Sequence, residues 1–199
     1  SAASDVYKRQ VNNGSNTLED HGDLTIIGNN TPRYNFGLTL TGAWKGFDFS
    51  VFLQGVMKRD YWLDGPYFWG ANGGLWQSTA FKEHMDYWRP EGDPLGANTN
   101  AYYPKPYFNT DKNQKVQSGY LQNAAYCRLK NAQIGYTLPK TWTRKAAMES
   151  VRVYVSGDNL VTFSGISGVF DPELLGSDWG DGKLYPLQRT ISIGLNVNF

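Results

Sequence analysis

The chain has 199 residues, enough for one domain with a sizeable core, and its 19 basic and 18 acidic residues leave a formal charge of +1. That balance excludes the basic stripe with which a nucleic-acid binder neutralises phosphates. The chain is rich in glycine (22), tryptophan (7) and tyrosine (13), yet no run of about 18 apolar residues exists, which excludes a transmembrane helix.

Mean hydropathy is −0.51. A barrel strand shows lipid only at every second residue, so a low average remains compatible with a membrane wall. Cys127 has no second cysteine to pair with, and with His21 and His84 it forms no metal-binding pattern. There is no secretory leader, so an exported parent implies a missing beginning.

In chain order, Ser1 to Gln10 fit nothing that follows; they are set aside as an artefact or an unstructured end, and residues 11–199 are treated as one unit. The first strand places Tyr34, Phe36, Leu38 and Leu40 on one face, opposed by Arg33, Asn35, Gly37, Thr39 and Thr41. Period two is the signature of a strand. After a tight Trp44-Lys45-Gly46 connection, Phe47, Phe49, Val51, Leu53 and Met57 share the next face, while Phe52 and Val56 blur the alternation.

Lys58 to Gly119 reads as a very long loop, with a short helix allowed between Ser78 and Trp88. Tyr126 to Leu138 is a further strand, with Ala132, Ile134, Tyr136 and Leu138 facing one way. Its first half puts Arg128 and Lys130 on that same face. Pro139 to Ser150 connects, with a second short helix allowed between Trp142 and Met148. Val151, Val153 and Val155 then alternate with Arg152, Tyr154 and Ser156, and a long link runs from about Leu160 to Leu187. Thr190 to Phe199 alternates without a charge, with Ile191, Ile193, Leu195, Val197 and Phe199 on one face.

Short, long, shorter, long is the connection pattern of an outer-membrane barrel, with small periplasmic turns and large external loops. Strand length agrees. Ten steps from Tyr34 to Trp44 span about 33 Å at roughly 3.3 Å per residue; tilted by about 45°, that covers roughly 24 Å, close to the apolar band of such a wall. Tyr34 and Trp44 then stand at its two edges, where aromatic girdles belong. The expected fold is therefore all-β: an antiparallel transmembrane β-barrel segment of about five strands with long extracellular loops. The alternative is a soluble, aromatic-rich β-sandwich acting as a carbohydrate-binding module, whose apolar face would look inward.

Several blocks resemble one family. They are Thr31-Pro32-Arg33-Tyr34-Asn35-Phe36-Gly37, Trp44-Lys45-Gly46-Phe47-Asp48, Asp86-Tyr87-Trp88-Arg89-Pro90, Tyr126-Cys127-Arg128-Leu129-Lys130-Asn131, Gly135-Tyr136-Thr137-Leu138-Pro139 and Asp171-Pro172-Glu173. In order, from about Gly22 to Phe199, they resemble the closing part of SusC/RagA-type TonB-linked outer-membrane proteins. No single block is specific; the ordered set is. The resemblance implies a barrel of about 22 strands with a plugged lumen, in Bacteroidota envelopes, importing oligosaccharides or peptides with energy relayed by TonB. It also implies a SusD-like surface lipoprotein as a lid, with TonB contacted through an N-terminal region that this sequence lacks. Five strands cannot close such a barrel, so the sequence reads as a fragment.

Under that resemblance Trp62, Tyr67, Trp69 and Trp76 are candidates for substrate contact, because aromatic faces stack on the apolar faces of sugar rings. The same rings equally suit packing of a large loop or contact with the lid. Phe199 is a candidate assembly signal, since such barrels end on an aromatic at the periplasmic interface. Asp171, Glu173, Asp178 and Asp181 offer oxygen ligands to Ca²⁺ but match no twelve-residue calcium loop, and read more simply as solvated surface. Glu83 and His84 lack a nucleophile or an orienting group, and Gly70 to Gly74 lacks the lysine and helix of a phosphate loop. No catalytic residue, metal or cofactor is assigned.

Overall fold

A computed structural model of the chain describes residues 14–15, 17, 19–22, 24–70, 80–107, 114, 116–176 and 181–199. Ser1 to Gln10, Trp76 and Asp178 lie outside the described residues.

Among the described residues seven strands form: β1 (Arg33–Trp44), β2 (Phe47–Lys58), β3 (Asp60–Trp62), β4 (Leu121–Asn123), β5 (Tyr126–Thr137), β6 (Ser150–Ser164) and β7 (Thr190–Asn198). Five of them make one sheet in the order β1-β2-β5-β6-β7, with every neighbouring pair antiparallel. The short β3–β4 pair is a separate antiparallel ribbon. All five strands expected from periodicity are present. β6 runs further than its sequence suggests, to Ser164, so the link that follows starts at residue 165 and not near Leu160.

The expected helices shrink to single turns. Within Ser78 to Trp88 the described part holds only a 3₁₀ turn at Lys82–Met85. Lys140–Thr143 and Arg144–Ala146 account for the other. Neither segment carries enough apolar periodicity to nucleate a longer helix, whose first turn is costly to form.

The β1–β2 turn is fixed by Lys45 at φ 48° and Gly46 at φ 88°. Two positive φ angles give the hairpin turn whose twist matches that of the flanking strands. Glycine takes the second of them without strain. The Gly46 carbonyl also accepts a hydrogen bond from the Thr137 N–H at 2.8 Å, which stitches the turn to β5.

Register places like residues side by side. Leu40 pairs with Val51, Val51 with Ala132, Ala132 with Gly157 and Gly157 with Ile191. Phe49, Ile134, Val155 and Ile193 form a second apolar row. Directly opposed residues point to one side of a sheet, so these rows build one continuous apolar face. It is bare: Ile191 is 70% exposed and Ile193 79%. Tyr34 and Trp44 stand exposed near its two ends. Cys127 belongs to the same face, opposite Gly55 and Phe163. Thr41, Ser50, Gln133, Ser156 and Ser192 line up on the other, polar face.

One expectation is corrected here. A regular β5 would carry Arg128 on the apolar face with Ala132 and Ile134. Instead the register with β2 slips between Phe52 and Leu53, where β5 spends the extra residue Lys130. β6 answers with an extra residue of its own between Asp158 and Val161. The bulge inverts side-chain parity: Leu129 stays on the apolar face and Arg128 turns to the polar one, beside Gln54 and Thr162.

The compact hydrophobic core lies outside the sheet. Leu63, Phe68, Trp69, Tyr103, Ala124, Ile166 and Phe170 cluster in the long connections at one end. A sandwich would bury the apolar face against a second layer; among the described residues none covers it.

Replacing Ile193 with Arg should cost about 2–4 kcal/mol near a bilayer midplane, whereas Ser192→Arg on the opposite face should cost far less. Folding yield in lipid vesicles, read for both variants of a full-length receptor carrying this chain, checks it; equal yields would refute the assignment of faces. Gly194, on the polar face, is unsuited as a control because the Tyr154 ring lies over it.

Candidate functional site

The long first loop rises from a stem. β3 and β4 continue the β2–β5 ladder beyond a short break, bridged by the Ala124 N–H donating to the Arg59 carbonyl at 2.8 Å. Above it, Pro66 begins a one-turn helix, Pro66–Trp69, framed by Gly65 and Gly70 at positive φ. That turn aims Phe68 and Trp69 into the loop core. Phe68 meets Trp69 edge-on at 4.8 Å between ring centroids and Tyr103 at 5.7 Å; Trp69 meets Tyr120 at 4.9 Å and Trp62 at 5.9 Å. Such tilted and edge contacts are the favoured aromatic arrangements.

Of the four residues singled out for substrate contact, Trp69 is 6% exposed and packs in the core. Its ring faces are taken by neighbours, so any part it plays toward a ligand is through the shape of the loop. Trp62 and Tyr67 are half-buried, Tyr67 lying 5.6 Å from the Phe81 ring. Trp76 lies outside the described residues.

Polar staples hold this layer. His84 Nδ1 accepts the Phe81 N–H at 2.8 Å, which leaves Nε2 to donate to the Phe68 carbonyl at 2.9 Å. Both ring nitrogens are thus spent on the backbone, and Glu83–His84 is no acid–base pair. Asp86 accepts from the Asn98 amide at 2.9 Å and from the Tyr102 N–H at 3.2 Å; these bonds, the amide first, hold its carboxyl below the usual range. Asp181 is buried and accepts from the Tyr61 hydroxyl at 3.2 Å and from the Asp64 and Gly176 N–H groups at 3.1 Å each. Burial first, and then the Asp181 charge, push the Tyr61 phenol up to about 12.

A second constellation lies on the polar face of the sheet. Arg128, with its side chain 4% exposed, donates to Asp171 at 2.7 Å and to the Thr162 hydroxyl at 2.8 Å. Its other terminal nitrogen stands 3.2 Å from Glu173, which Lys130 also reaches at 2.9 Å. The 171–173 segment is therefore strapped onto the sheet. Asp171, Glu173 and Asp181, read from sequence as solvated carboxylates, are structural partners, and no metal-binding group of acidic, cysteine or histidine residues occurs among the described residues. Sequence reasoning missed this strap. The available signal was a pair of cations two residues apart on a face that otherwise has none, which marks a bulge.

Beside the strap a cleft of about 640 Å³ opens on the polar face, lined in part by Asn35, Phe52, Gln54, Val56, Tyr126 and Pro172. A second, of about 630 Å³, lies among the loops between Glu83, Tyr102, Gln122 and Ser167.

A two-faced antiparallel sheet, bare and apolar on one side and hydrogen-bonded on the other, with its packed core in long loops at one end, defines a segment of membrane β-barrel wall. Comparison with known proteins narrows that class. No family model matches the chain. Over 190 residues it is 32% identical to TonB-dependent receptor P3 of Formosa agariphila, covering 89% of this chain and 17% of that protein. It is 26% identical over 193 residues to TonB-dependent receptor SusC of Bacteroides thetaiotaomicron, covering 94% and 17% respectively. Among solved structures, the RagAB peptide importer in its closed-closed state superposes with a TM-score of 0.65 at 25% identity, over 90% of this chain and 18% of that one. The chain belongs with the SusC/RagA-type TonB-dependent receptors, and it spans about a fifth or less of the length of the relatives it matches.

Two outcomes follow from the geometry. Arg128→Ala leaves Asp171 as a buried charge without its cation, and Glu173 with Lys130 alone, and should cost about 3–5 kcal/mol; Lys130→Ala, at a more open position, should cost less. Denaturant midpoints, with limited proteolysis near residue 175, separate the two variants, and equal losses would contradict the strap. The burial of Tyr61, together with the Asp181 charge and bond, stabilises the loop layer fully below the ordinary phenol value of 10.0, and that contribution is lost between about 10 and 12, since the phenol is held protonated in the fold. Phenolate absorbance of wild type and Tyr61→Phe should differ only in the titration near pH 12; a difference near pH 10 instead would count against a buried phenol held beside Asp181.

Proposed function

We propose that this chain is part of the wall of a TonB-dependent outer-membrane importer of oligosaccharides or peptides, with residues 11–199 forming one barrel unit and Ser1 to Gln10 standing outside it. The observation that carries this reading is the bare apolar face, aligned across all five strands of the sheet and ending in exposed aromatics. In water such a face drives association; in a bilayer it is satisfied by outer-membrane lipid. The relatives' names as TonB-dependent receptors and the RagAB neighbour support the same reading.

A SusD-like surface lipoprotein is the partner expected over the loop layer, and contact with TonB is assigned to a region outside this chain. Of the aromatics singled out for substrate contact, Trp62 and Tyr67 keep surface to meet a substrate or that lid, beside the more exposed Trp88, Tyr102 and Tyr107 of the same loop. The chemistry is transport, and no residue is given a catalytic role. A soluble carbohydrate-binding module fits less well, because its apolar strand face would be the covered one.

Phe199 is proposed as an assembly signal. It follows β7 and is 88% exposed. Its ring suits the membrane interface, where aromatics are favoured, and β7 must pair onward to remove its open edge, since unpaired backbone groups do not survive in lipid. Phe199→Asp should lower the outer-membrane yield of a full-length receptor carrying this chain several-fold, with Phe199→Tyr tolerated. Heat-modifiable migration on gels and surface labelling report assembly, and a normal yield of the Asp variant would rule out the signal.

A further inference from the structure

We propose that the rim of the wall carrying the shorter connections is a docking surface for the headgroup of an anionic phospholipid. The inference rests on the importer reading and extends it to a lipid partner at one end of the sheet. Two turns meet there, Trp44-Lys45-Gly46 and residues 138–149, joined by the bond from the Thr137 N–H to the Gly46 carbonyl. They carry Lys45, Lys140, Arg144 and Lys145 against one carboxylate, Glu149. All four cations are exposed, and none makes an ion pair among the described residues. At the loop end, by contrast, Arg128 and Lys130 are paired with carboxylates, and Arg89 is spent on the Met85 and Gly96 carbonyls.

Two of these cations stand where local preference opposes them. Lys45 takes φ 48°, a turn position in which asparagine, aspartate or glycine is at home. Lys140 opens the helical turn Lys140–Thr143, whose first N–H groups already carry partial positive charge. Arg144 follows one turn later on the same side, where like charges repel. The C-terminal end of these turns suits Arg144 and Lys145, but it offers nothing to Lys45 or Lys140. A local rule broken twice in favour of one charge marks a functional position. The platform beneath is fixed. Thr143 is buried, and the connection is pinned at both ends, by the Leu138 N–H to the Val151 carbonyl at 2.9 Å and the Glu149 N–H to the Asn198 carbonyl at 2.8 Å.

The neighbours of these cations name the partner. Trp44, Phe47 and Tyr136 oppose one another at this rim, in the row that runs through Val153 to Leu195 on the bare apolar face. Lys45 Nζ lies 4.9 Å from the Trp44 ring centroid, so its charge leans toward that face. Trp142 adds a second exposed tryptophan within the basic turn. On the polar side of the same rim the charges close on each other: Arg152 Nε donates to Asp48 at 2.8 Å, and its guanidinium lies over the Tyr154 ring. Free cations beside interfacial aromatics, continuous with a lipid-facing surface, match a negative headgroup whose chains lie along the apolar wall. A soluble phosphate would meet the charges and leave the rings and that wall uncovered.

The test uses the full-length receptor carrying this chain, in phosphatidylcholine nanodiscs doped with photoreactive phosphatidylglycerol or, separately, photoreactive phosphatidylcholine. Label on the 138–149 turn is read by mass spectrometry after proteolysis. Phosphatidylglycerol should label the turn in preference. Lys45→Gln and Lys140→Gln should each lower that preference about fivefold, with Lys82→Gln in the first loop without effect and heat-modifiable migration unchanged. In the wild type, salt at about 1 M, where the screening length is about 3 Å, should remove the preference, a result that depends on no variant folding. Equal labelling by the two lipids overturns the headgroup surface alone. So does a preference that neither substitution nor salt moves, or a label displaced by an equal concentration of inorganic phosphate. A wild-type receptor that shows no heat-modifiable barrel overturns the importer reading and the surface with it.

Discussion

Much of this structure hangs on one extra residue. Lys130 is spent in a bulge, and the resulting change of parity moves Arg128 from the apolar face to the polar one. A guanidinium facing lipid would be expensive; facing inward, it gathers Asp171, Glu173 and Thr162. The pairing reaches across more than forty residues of sequence and ties the last long connection to the sheet. From there Asp181 ties the same connection to Tyr61 and Asp64 of the first loop. Bulge, strap and loop layer thus form one chain of dependence, and the first link is a backbone irregularity announced only by two cations, Arg128 and Lys130, on an otherwise apolar alternation.

The distribution of apolar residues follows from solvent on each side. The hydrophobic effect acts only where water would otherwise touch apolar surface. A sheet face that meets lipid therefore has no reason to be covered by protein. The loops stand in water, and they do what a soluble domain does: they bury Leu63, Phe68 and Ala124 completely. The high aromatic content serves both environments. Trp44 and Tyr34 lie where a ring can span an interface, while Phe68, Trp69 and Tyr103 fill a core in which the buried Trp69 ring nitrogen has no hydrogen-bond partner among the described residues.

The strands were legible because period two is a local property. Ile191, Ile193 and Leu195 betray β7 without reference to any other segment. The outer part of β6 was not legible, because Gly157, Asp158 and Asn159, the last at φ 50°, interrupt the alternation where the bulge is absorbed. Arg128 was misassigned for the same reason, since period two presumes a regular strand. The loop contacts were harder still. Nothing near Asp181 in the sequence points to Tyr61, and nothing near His84 points to the Phe68 carbonyl. Composition identified the aromatic loop, but whether Trp69 is displayed or packed is decided by partners fifty and a hundred residues away.

The stem of the first loop has a mechanical consequence. Because β3 and β4 prolong the β2–β5 ladder past the end of the main sheet, the crown above them is carried on a short beam rather than on two independent cords. Ladder bonds lie across the strand direction, so sliding one leg of the stem past the other loads them together in shear, whereas prying the legs apart opens them one at a time. A load on the crown is thereby passed to the bond between the Ala124 N–H and the Arg59 carbonyl, where the stem joins the rim of the wall.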